Sequence, residues 1–184
     1  MKMRILTAAA IGAAFILAGA ASAQQQPAPA AAPPGPPNLD AVPEKMPWAN
    51  PYGAPISAAK AQAAIQAAVA ETQKRGWALN IAVVDSGANL VAFVRMDGAQ
   101  LGSIAIAEHK ARAAAKYRRP TKVFEEGIQK AGLNYLMTLD DVIGSRGGIP
   151  LIEDGKIIGA IGCSGGTGSQ DEVGCMAGAA TINK

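Results

Sequence analysis

Two apolar runs, 149–153 and 156–163, are separated only by Asp154-Gly155. That dipeptide tolerates the left-handed backbone a two-residue hairpin turn demands, so the runs predict a pair of antiparallel strands. Runs at 79–84 and 90–95, joined through Asp85-Ser86-Gly87, predict a second hairpin. Hairpins connect antiparallel neighbours, whereas a doubly wound sheet needs crossovers between parallel ones. The expected fold class is therefore α+β, a single domain with an antiparallel β-sheet of two hairpins flanked by helices.

Helical patterning fills the rest of the domain. Ser57 is a suitable N-cap for a helix over 58–75 that Gly76 ends, with Ala61, Ile65, Ala68, Val69 and Thr72 on one stripe. A second helix is predicted over 103–117 and is broken by Arg118-Arg119-Pro120; Thr121 then caps a shorter one reaching about Lys130. A last helix runs from about Gln170 towards Ile182. The order is helix, hairpin, two helices, hairpin, helix.

The N-terminus reads differently. Lys2 and Arg4 precede an apolar stretch from Ile5 to about Ala18, and Ala21-Ser22-Ala23 supplies the small residues a signal peptidase requires. Residues 1–23 are thus expected to be a cleaved signal peptide, which places the protein in the periplasm or outside the cell. The stretch is short and alanine-rich for a bilayer span of about 20 residues. A lipid anchor would need Cys where Ala20 stands, so no stable membrane anchor is expected. Residues 24–54 form a Pro/Ala-rich tether that passes into an irregular arm from Asn38, placed on the domain or on a neighbouring subunit. The domain itself is 55–184.

Charge and cysteine content exclude several classes. Lys2 and Arg4 are two of 17 basic residues, against 14 acidic ones, so cleavage leaves a chain one charge from neutral. That balance, with few aromatics, gives no nucleic-acid-binding surface. Cys163 and Cys175 are the two cysteines and His109 the one histidine, too few for a zinc site of the usual Cys/His type. A disulfide is open to the two cysteines in an oxidising compartment. Each also sits where a small hydrophobe would serve.

Two groups of residues are candidate sites. His109, Arg112 and Lys116 share one stripe of the second helix beside Ala105 and Ala113, while Ile104, Ala107, Ala111, Ala114 and Ala115 form the opposite, core-facing stripe. An imidazole among alanines leaves room for a flat ligand, with Arg112 and Lys116 for its carboxylates. A solvated face with an incidental histidine is the alternative. The second group is Arg95, Arg146 and the loop at Gly165-Gly166, whose free N–H groups at a helix start could hold a small carboxylate. The loop lacks the Gly-Lys-Ser/Thr ending of a Walker A loop and has no strand after it for a dinucleotide fold. The alternative is a tight turn at Gly165-Gly166, and for the two arginines ion pairs with Asp97, Asp140 or Asp141.

Several segments together resemble one family. They are Asp85-Ser86-Gly87 with 91–99, Ile106 to Ala114 followed by Arg119-Pro120-Thr121, Gly147-Gly148-Ile149-Pro150, Asp154-Gly155, 159–166 and Gln170-Asp171-Glu172. In this order they resemble the GlcG/HbpS-like family of haem-binding and haem-degrading proteins, a family similar in turn to the C-terminal domain of some corrinoid adenosyltransferases. The resemblance implies an antiparallel sheet flanked by helices, assembly into homo-oligomers, and haem as ligand, with slow haem breakdown or redox-linked sensing in some members. It carries over no catalytic motif. His109 is therefore this chain's own candidate for the haem iron, with Tyr117, Met96 and Met137 as competing axial ligands. An enzyme or accessory protein that binds a small carboxylate metabolite is the alternative function.

Overall fold

The computed structural model describes residues 38–183. The expected signal peptide and the tether up to Pro37 lie outside the described residues. The elements run α1 (Ala58–Lys74), β1 (Asn80–Asp85), β2 (Leu90–Arg95), α2 (Ser103–Tyr117), α3 (Lys122–Gln129), β3 (Gly148–Glu153), β4 (Lys156–Ser164) and α4 (Gly168–Ala179). The four strands form one antiparallel sheet in the order β2-β1-β4-β3. The α+β class and its two hairpins are as the sequence predicts.

The hairpin turns show why. Asp154 (φ 49) and Gly155 (φ 73) both adopt the left-handed backbone, as a type I′ turn requires. In the first hairpin the left-handed residue is Ala88 (φ 65) rather than Gly87. The Asp85 carboxylate holds that turn by accepting from the N–H groups of Gly87 and Asn89, at 2.8 and 2.9 Å.

Alternation along β1 splits the core in two. Ile81 and Val83 face a layer made with Ala64, Ile65 and Ala68 of α1 and Cys175 and Ala179 of α4. Ala82 and Val84 face Ala107, Ala111, Ala114 and Ala115 of α2. The second layer is thin because it is built mostly of alanine, with Val84 and Phe93 as its larger members. A Cβ on Gly162 of β4 would lie 2.1 Å from the Ala107 carbonyl oxygen, so only glycine lets α2 press so near the sheet.

Three further features have local causes. The last helix begins at Gly168 because Thr167 and Gln170 form a reciprocal capping box, and it ends at Ala179. A 3₁₀ turn, Asn134–Thr138, lies in a segment without apolar periodicity. The arm lies on its own domain over Asn50–Ile56. Beyond Gly159, where β1 stops pairing with β4, the arm takes over: Ile157 donates to the Pro51 carbonyl, and Gly53 and Ile56 donate to Ile157 and Ile158, each at 2.8 Å. The Tyr52 hydroxyl then donates to the Lys116 carbonyl at 2.7 Å, occupying an acceptor at the end of α2.

Cys163 on β4 and Cys175 on α4 form a disulfide, with Cα atoms 5.7 Å apart. Both residues are fully buried, so they serve the core as well as the cross-link.

Candidate functional site

The second helix presents its alanine arc to the sheet and its basic stripe outward. His109 is half-buried at the edge of that stripe, and its Nε2 is buried without a hydrogen-bond partner. Most buried ring nitrogens are satisfied, so an orphaned one marks an unused donor or acceptor. One turn on, Arg112 bonds Glu108 at 2.7 Å. Lys116 reaches across to Asp141, which lies in the segment between the 3₁₀ turn and β3. The hydrogen bond and charge of Lys116 hold the Asp141 carboxyl below its usual range, against the opposing pull of burial. Of the three stripe residues, Lys116 bonds Asp141, while Arg112 is held by Glu108 on its own helix.

The surroundings differ from the sequence reading in one respect. Ala105 is exposed beside His109, but Ala113 is fully buried and offers no open surface. The inward arc of α2 is wider than a single stripe, because it also takes in Lys110 and Ala113. The competing axial ligands are placed otherwise. The Tyr117 hydroxyl donates to the Asp140 carbonyl at 2.6 Å. The Met96 sulfur accepts from the Leu79 N–H and the Thr72 hydroxyl, both at 3.4 Å. Met137 is 64% exposed on the 3₁₀ turn.

The second group of residues does not form one cleft. Gly166 donates its N–H to Asp171 Oδ1 at 3.0 Å, so the loop already holds a carboxylate of the protein itself. The other Asp171 oxygen accepts from Lys110 Nζ at 2.7 Å. Burial raises the Asp171 carboxyl above its usual range, against the opposing pull of Lys110 and of the Gly166 and Gly165 N–H groups. Arg146 is tied to glutamates rather than to Asp97, Asp140 or Asp141: it donates to Glu125 from both its backbone and its guanidinium, at 2.7 Å each, and lies 3.5 Å from Glu172. The reason is placement, since Glu125 on α3 and Glu172 on α4 flank the entry to β3. Arg95 lines a cavity with Trp77 and Asp97, away from these pairs.

Lys110 is the residue that sequence reasoning passed over. It belongs to neither of the two stripes assigned to the second helix above. It sits three residues after Ala107 and four before Ala114, on the core-facing period, and that spacing was the signal.

Among the described residues, no helix is long and apolar enough to cross a membrane. A family model described as "Haem degrading protein HbpS-like" matches residues 56–180. The chain belongs to this HbpS-like family. It is 41% identical over 109 residues to the protein GlcG of Escherichia coli K12, a match covering 59% of this chain and 81% of GlcG. An uncharacterized 15.0 kDa protein of Citrobacter freundii is 34% identical over 123 residues, 65% of this chain and 87% of that one. Among solved structures, a double mutant of Streptomyces reticuli HbpS superposes with a TM-score of 0.66 at 28% identity, over 85% of this chain and all of that one. A PduOC–haem complex superposes with a TM-score of 0.63 at 26% identity, over 70% of this chain and 96% of that one.

Proposed function

We propose that this chain is an exported haem-binding protein that holds haem against α2, with His109 as axial ligand and Arg112 and Lys116 at the propionates. Membership of the HbpS-like family and a fold relative crystallised with haem support the ligand. The observation that carries the site is the unpartnered His109 Nε2 on the helix stripe that also carries Arg112 and Lys116.

The donor set fits the group. A neutral imidazole offers a lone pair that haem iron accepts. Arg112 and Lys116 are 37% and 48% exposed while bonded to Glu108 and Asp141, so each keeps donors free for a ligand carboxylate. Because Nε2 is buried, ligation requires the side chains over it to move aside. When bound, haem supplies one-electron and dioxygen chemistry. The role of the protein is then to orient the ring, neutralise the propionates and limit water access on the α2 side. Slow breakdown of the bound haem, redox-linked sensing and homo-oligomer assembly extend the same reading, and export rests on the composition of residues 1–23.

A haemin titration followed at the Soret band tests the ligand, and His109→Ala tests the site. Decay of the Soret band under reductant separates breakdown from storage.

A further inference from the structure

Among the described residues, five of the six arginines are engaged. Arg75 bonds Glu71, Arg112 bonds Glu108 and Arg146 bonds Glu125. Arg118 donates to the Asn50 carbonyl, and Arg119 donates to the Tyr117 carbonyl with its guanidinium over the Trp48 and Phe124 rings. Arg95 pairs with Asn80 in the sheet, but its side chain has no hydrogen bond or ion pair among the described residues. It instead lines a cavity of about 460 Å³ between the end of α1 and the end of β2.

The rest of the lining is what gives Arg95 a purpose. Asp97 and Gln73 line the same cavity, and neither side chain is bonded to Arg95 or to any other described group. Trp77 supplies a flat wall, fixed by the Arg75 guanidinium 5.2 Å from its ring centroid. Val69 and Met96 supply apolar contact. An unpaired cation and an unpaired anion two residues apart, lining one cavity with Trp77, complement a molecule that carries both charges and an apolar body. Asp97 disfavours a dianion, which Arg95 alone would accept.

The geometry points to this cavity as a second binding site, for a small zwitterion of the α-amino-acid class with an apolar or aromatic side chain. Arg95 would take the carboxylate, Asp97 the ammonium, and Trp77 the apolar body. None of these residues is on α2, so the site stands or falls independently of haem.

The test is a titration of the full chain with L-phenylalanine, followed at the two tryptophan indole N–H signals and by calorimetry. A saturable shift of the Trp77 signal is expected, with Trp48 unmoved. Arg95→Gln should weaken it by at least about tenfold, the order expected for losing a charge-assisted bond. Asp97→Asn should weaken L-phenylalanine but leave phenylacetate, which has no ammonium, no worse bound. Both positions are exposed and unpaired, so the variants should keep the wild-type circular dichroism. Absence of a saturable Trp77 shift overturns the proposal. So does a shift that Arg95→Gln leaves intact, or tighter binding of phenylacetate than of L-phenylalanine by the wild-type chain.

Discussion

The Lys110 ammonium lies 2.7 Å from the Asp171 carboxylate, and neither side chain is more than 3% exposed. The pair joins α2 to α4 across the Gly-rich loop, whose Gly166 N–H completes the shell of Asp171. A buried pair is dangerous to break and much less so to replace. Lys110→Met alone should destabilise by about 3–5 kcal/mol, because it leaves a buried carboxylate unmatched. Adding Asp171→Asn should recover a large part of that loss. The sign of the pH dependence follows from the Asp171 carboxyl, raised by burial and raised further without Lys110. A raised carboxyl favours the fold in its protonated form, so the stability of Lys110→Met should be highest in acid and fall as pH rises through the folded value. Urea denaturation of the two single variants and the double at two pH values checks both points; strictly additive losses would count against the coupling.

Reduction of the Cys163–Cys175 bridge, or the double replacement by alanine, should lower stability by about 2–4 kcal/mol, as for other short cross-links. Both sulfurs are buried, so reduction of the native protein should be slow and should track unfolding. Thermal denaturation with and without dithiothreitol measures the effect. Equal midpoints would mean the bridge adds nothing to the fold.

These two features also show what the sequence made legible and what it did not. Asp154-Gly155 and the alternation on either side are local signals, and they delivered both the turn and the sheet class. The 103–117 helix was equally readable, since its alanine period and the Arg-Arg-Pro stop lie within one segment. The disulfide was not, because the approach of β4 to α4 is a property of packing and a spacing of 12 residues says nothing about it. The partners of Arg146 were hidden likewise, since Glu125 and Glu172 come from two different helices. At the candidate site the stripe of His109, Arg112 and Lys116 could be read from periodicity. The partner of Lys116, Asp141, comes from a segment without periodicity and needed the structure.

Glu125 provides a second pH-dependent contribution. Burial alone would raise its carboxyl, but the Arg146 hydrogen bonds and charge outweigh that and hold it below the usual range. A lowered carboxyl stabilises the fold above its unfolded value, and the contribution is lost as pH falls through about 4.3 and below. Glu125→Gln should cost about 1.5–3 kcal/mol at neutral pH, the range for hydrogen bonds to charged groups. Its deficit should shrink in acid. Stability measured from pH 7 to pH 3 for the wild-type chain and Glu125→Gln checks this; parallel curves would contradict the assignment.

Whether α2 holds haem through His109 is tested most directly by a haemin titration of the chain from Gln24, alongside His109→Ala and Arg112→Ala. The expected result is a saturable Soret shift that His109→Ala abolishes or moves to a different wavelength, with a weakening of about fivefold to tenfold for Arg112→Ala if one propionate contact is lost. A saturable shift identical in all three proteins would contradict the site, and no saturable shift in the wild-type chain would contradict the function.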